Sequence, residues 1–128
     1  MADATLPQVT PQEAMEKLDG YARQLDKISN LLADVEKQLE PVEREYQAFV
    51  DDFEVGLWQR SQDDENFKLP SEALRLKLAQ KAMSPELLGR YVGLINARRR
   101  LRERGQRTKA SLEAQRSILS YLKEATVR

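Results

Sequence analysis

Eleven apolar side chains fall on a seven-residue repeat between residues 18 and 53, and this pattern narrows the possible folds more than any other feature. One set is Leu18, Leu25, Leu32, Leu39, Tyr46 and Phe53. The other, three residues on, is Tyr21, Ile28, Val35, Val42 and Phe49. Two apolar positions per heptad make one stripe along a helix, and such a stripe is stable in water only when another helix covers it. The repeat stays in phase across Pro41. A proline there removes a backbone donor, so the expectation is a kinked helix or two helices stacked end to end.

The start of this helix is marked by Thr10-Pro11-Gln12-Glu13. Thr10 can cap, proline suits the first helical position, and glutamate three residues after the threonine completes a capping box. Residues 1–9 lack periodicity and read as a flexible lead. The polar run SQDDENFKLP, residues 61–70, reads as a connection. A short helix follows over 71–82, with Leu74, Leu78 and Ala82 as its apolar face. Ser84-Pro85-Glu86 then opens a last helix reaching about Ala125. Its inward positions are Leu87, Tyr91, Leu94, Arg98, Leu101, Gly105, Thr108, Leu112, Gln115, Leu119 and Leu122. They are apolar at the ends and polar in the middle.

These elements predict an all-α fold with one helical domain over 10–128 and helices at about 11–60, 71–82 and 85–125. The long kinked helix, the short middle helix and the returning helix form an antiparallel hairpin or bundle. In that hairpin, residues 100–109 lie opposite 36–45, and the short helix packs near Leu57 and Trp58. Charge favours this register. Between Asp34 and Glu65 eleven acids face three bases, whereas Arg98 to Lys109 holds seven bases and one acid, Glu103. The returning helix presents Arg98, Gly105 and Thr108 to part of the first stripe. The surplus apolar surface predicts that a second copy or another protein completes the structure. Leu18, Leu25, Ile28, Leu32, Val35, Leu57 and Trp58 are the candidate interface residues.

Composition removes much chemistry. The chain has no cysteine and no histidine, so thiolate nucleophiles, zinc–thiolate sites and the usual general base are absent. No glycine-rich phosphate loop, nucleophile elbow or metal-ligand spacing occurs. The acidic groups Asp51-Asp52-Glu54 and Asp63-Asp64-Glu65 read as solvated surface, because adjacent helical residues diverge and cations require converging oxygens. The expectation is a non-enzyme with no cofactor, metal or small-molecule substrate. No apolar run suits a signal-peptide core or a membrane span, so a cytoplasmic location is expected.

The run NARRRLRERGQRTK carries two readings. Arg99, Arg100, Arg102 and Arg107 can form a phosphate-binding face for nucleic acid. Alternatively, the cluster pairs with the acidic stretch of the first helix. Trp58, with Leu57, Phe53 and Phe67, is either an exposed interface cluster or the core of a helix junction.

PELLGRYVGLINARRRL, followed by AQRSILSYLKEA, resembles in its helical texture small accessory proteins encoded by bacteriophages, of the recombination- and replication-associated type. The resemblance covers residues 84–125. It implies an accessory role in the host cytoplasm, beside DNA or a DNA-processing protein. Two functions therefore stand: a self-associating coiled-coil scaffold or adaptor that binds protein, and a nucleic-acid-binding accessory protein using the arginine-rich helix.

Overall fold

Glu13 donates its backbone N–H to the Thr10 hydroxyl at 3.2 Å, and Pro11 follows as the first helical residue. This cap starts α1, Pro11–Asp63, a single helix of 53 residues. The computed structural model describes residues 10–127, with side chains through residue 125. The expected flexible lead at 1–9 lies outside the described residues. Arg60 stands in the last turn of α1, where a cation complements the exposed carbonyls, and its guanidinium lies 4.5 Å from the Phe67 ring centroid. The Asp64 carboxylate accepts from the Asn66 N–H at 3.0 Å and turns the chain. Ser71 caps α2, Glu72–Ala82, by accepting from the Leu74 N–H at 3.3 Å. Ser84 caps α3, Pro85–Val127, through the Leu87 N–H at 3.1 Å. The fold is all-α, with three helices and no strand among the described residues.

Two sequence expectations at the helix ends change. α1 continues three residues past position 60 into the polar run, and it runs through Pro41 as one helix, which removes the alternative of two helices stacked end to end. Pro41 is exposed while its neighbours Leu39 and Val42 are buried. The carbonyl left without a donor belongs to exposed Lys37, where water can satisfy it. The proline therefore interrupts neither the helix nor its buried stripe.

Contacts group the chain into two compact units: a central unit, Asp34–Arg98, and a terminal unit comprising Met1–Ala33 and Arg99–Arg128. In the central unit Val42, Tyr46, Met83 and Leu87 form the buried cluster, with Phe49, Val50, Leu88, Tyr91 and Leu94 packed against it. Both later elements run antiparallel to α1 there. Arg75 of α2 reaches Glu54 and Gln80 reaches Tyr46, while Leu94 of α3 shares a cleft with Gln38 and Val42. In the terminal unit Ala14, Ile28, Thr108, Leu112 and Gln115 are buried. Thr108 satisfies its hydroxyl on the Arg104 carbonyl of its own helix at 2.9 Å.

The expected register, with 100–109 opposite 36–45, is corrected. A Cβ on Gly105 would lie 3.5 Å from the Ile28 side chain, and Leu94 sits beside Gln38 and Val42. The cause is α2, which lies back along the last turns of α1 through the Arg75–Glu54 and Gln80–Tyr46 contacts. α3 therefore reaches Tyr46 at Tyr91 and Val42 at Leu94, and it begins short of the α1 C-terminus. The expected face of α2 is corrected as well. Leu74 and Ala82 are exposed, and Arg75, Leu78, Ala79 and Gln80 face inward. Lying along α1 between Trp58 and Tyr46, this helix packs a small side chain, Ala79, where a leucine stripe would require more space.

Candidate protein-interaction surface

Every member of the α1 heptad stripe is buried or half-buried. So is every inward position expected on α3, including Arg98, Gly105, Thr108 and Gln115. Among the candidate interface residues, Ile28 is buried, and Leu18, Leu25, Leu32, Val35 and Leu57 are half-buried. They form the fold's own seam. Trp58 differs, at 49 % exposed. The Arg75 guanidinium lies 5.9 Å from its ring centroid. Arg75 also donates to Glu54 at 2.7 Å and to the Pro70 carbonyl at 2.8 Å. One guanidinium thus ties α1, the connection and α2 together, and it covers one part of the indole.

Beside this junction an open groove of about 590 Å³ is floored by Tyr46, Val50, Leu76 and Tyr91, with Glu54 and Arg75 at its edge. The Tyr46 and Tyr91 rings stack with centroids 3.8 Å apart and planes 8° from parallel. The Gln80 amide donates to the Tyr46 hydroxyl at 2.9 Å. Burial raises the Tyr91 pKa, Tyr46 and Glu43 push it further, and Arg98 opposes them. The Tyr91 phenol is neutral near pH 7, so its side of the groove is apolar. Among the described residues, no group of three or more acidic side chains is placed to hold a metal ion.

Exposed apolar side chains lie on the outward faces. Val55, Trp58, Leu74, Leu76 and Val92 are exposed in the central unit, and Met15, Leu31, Ile118 and Tyr121 in the terminal unit. The last two belong to a pattern that the heptad reading missed. Ala110, Ala114, Ile118, Tyr121 and Ala125 follow spacings of four, four, three and four residues, so they share one face of α3. All five are exposed, with Tyr121 at 71 %. The signal was present in the sequence, but it lay opposite the stronger seam and held three alanines.

Arg99, Arg100, Arg102 and Arg107 are exposed on α3 beside Arg104. Among the described residues, Arg99, Arg100, Arg104 and Arg107 make no ion pair within 4 Å. Two acids of α1 have partners elsewhere: Glu40 pairs with Arg44 one turn on, and Glu54 pairs with Arg75. Internal pairing, one of the two readings of this cluster, is not seen at Arg99, Arg100, Arg104 or Arg107 among the described residues. The charge remains divided between the units. The central unit carries 13 acidic and nine basic residues, a net of −4, and the terminal unit eight acidic and 12 basic, a net of +4.

No helix among the described residues is long and apolar enough to cross a membrane. Comparison with protein-family models, curated proteins and solved structures gives no match.

Proposed function

We propose that this chain is a non-enzymatic helical scaffold that self-associates and offers helical faces to protein partners. The observation that carries the reading is the exposed stripe Ala110, Ala114, Ile118, Tyr121 and Ala125 on the outer face of α3. Helical interaction surfaces are built from apolar residues at such spacings. Tyrosine also contributes more than most side chains to interface energy. The absence of cysteine and histidine and the lack of any catalytic motif support a binding role. The resemblance of residues 84–125 to small phage-encoded helical proteins is compatible with an accessory partner of this kind.

The test is the solution mass of an Ile118→Asp/Tyr121→Asp variant compared with that of the unmodified chain. Both side chains are exposed, so helix content is expected to stay constant while the assembly mass falls. An unchanged mass removes this stripe from the interface.

A second reading has one observation behind it. Arg99, Arg100, Arg104 and Arg107 are exposed and make no ion pair among the described residues, which suits the phosphate backbone of nucleic acid. Binding through them would weaken steeply with salt and would drop when the four are replaced together. No retention of a duplex or single strand at low salt overturns it.

A further inference from the structure

The two units carry opposite net charge, and exposed side chains of α1 and α3 repeat the same spacing. On α1, Glu45, Asp52 and Val55 stand at intervals of seven and three residues, and all are exposed. On α3, Arg100, Arg107 and Ala110 stand at the same intervals and are also exposed. Seven residues advance a helix by about 10.5 Å, close to two full turns, so each trio holds one face. Among the described residues none of these four charged side chains makes an ion pair within 4 Å.

We infer that the Glu45–Asp52–Val55 face of one copy docks on the Arg100–Arg107–Ala110 face of a second copy, with the two helices aligned in the same direction. This inference rests on the self-association reading above and adds a second, charged surface to the apolar stripe named there. In that alignment Glu45 meets Arg100 and Asp52 meets Arg107. Glu103, the acid between the two arginines, falls opposite Ala48 and creates no like-charge contact. Val55, 54 % exposed, falls at Ala110. There Glu103, Gln106, Arg107 and Ala110 border an open depression of about 400 Å³. The occupant is therefore argued from charge sign, from equal spacing, and from an apolar side chain matched to a shallow seat. Complementary charge of this kind sets register and speeds encounter, and salt weakens it.

The experiment uses the full chain and two charge-reversed variants, Glu45→Arg/Asp52→Arg and Arg100→Glu/Arg107→Glu, with mass measured by light scattering over a salt series. The unmodified chain is expected to assemble at low salt and to dissociate as salt rises. Each reversed variant alone is expected to associate more weakly, by on the order of tenfold or more, because attraction becomes repulsion. An equimolar mixture of the two is expected to regain the assembly, which misfolded variants could not do. The neutral Glu45→Gln/Asp52→Asn variant is expected to weaken assembly in the same direction. If both reversed variants keep the unmodified mass, this docking is overturned and self-association through another face stands. If the unmodified chain has single-chain mass at low salt, both readings fall. If it instead retains a random-sequence DNA duplex that the arginine-reversed variant releases, the face belongs to nucleic acid and the inference is overturned.

Discussion

The rings of Tyr46 and Tyr91 lie face to face, 3.8 Å between centroids, and join α1 to α3 at the floor of the central-unit groove. Burial holds the Tyr91 phenol above its ordinary pKa, with Tyr46 and Glu43 adding to the rise. An acid whose folded-state pKa exceeds its unfolded value keeps its proton more tightly in the fold. Its stability contribution is complete below the unfolded value of about 10 and is lost as pH climbs through the folded value. Urea melts from pH 8 upward on the pH scale should show stability falling through this range, and Tyr91→Phe should flatten that fall. An equal fall in the variant assigns the pH dependence to other groups.

Arg75 makes three contacts with one guanidinium, to Glu54, to the Pro70 carbonyl and to the face of Trp58. Lysine cannot reproduce that planar fork. Arg75→Lys is expected to destabilise by about 1–2 kcal/mol, because the Pro70 carbonyl loses a charged donor and Glu54 its best partner. Trp58 fluorescence should report the change before global unfolding. A loss indistinguishable from zero means the junction is held by Ala79 and Met83 packing alone.

At Gly105 the helix pays for flexibility with no steric return. A Cβ there meets the Ile28 side chain at 3.5 Å, ordinary van der Waals contact. Gly105→Ala should therefore stabilise by up to about 1 kcal/mol, the helix-propensity difference. Gly105→Leu should destabilise, since its further atoms have Ile28 in their way. Thermal melts of the two variants separate a propensity effect from a packing one.

Pro41 allows the same kind of test in the central unit. It lies inside an unbroken helix and faces solvent. Pro41→Ala should restore the donor to the Lys37 carbonyl and raise stability by roughly 1–3 kcal/mol. A loss of stability on this substitution would indicate that the chain at this point depends on the proline's restricted backbone.

How much of this was legible follows from what each signal measures. The α1 stripe and the inward face of α3 were readable to the residue, because heptad spacing reports directly on the side of a helix that must leave water. The caps at Thr10 and Ser84 each precede a proline and mark two starts; Ser71, read as the first residue of the short helix, is its cap. Register was not readable. Heptad stripes slide past one another in steps of seven with little change in pattern, and the charge layout selected a step that α2 prevents. The face of α2 was missed because eleven residues lying along α1 pack through Ala79 and the stem of Arg75, while Leu74 and Leu76 remain exposed. At the proposed interaction surface, Arg100 and Arg107 stand out as charge. The stripe around Ile118 and Tyr121 was hidden by its alanines and by the stronger seam on the opposite side of the same helix.

The central claim is that copies of this chain assemble, and sedimentation equilibrium of the unmodified full chain at low ionic strength tests it most directly. The expected result is a mass that rises with concentration to a multiple of 14.7 kDa and returns toward a single chain when salt is added. A mass of one chain at every concentration, with the helices fully formed, would contradict it.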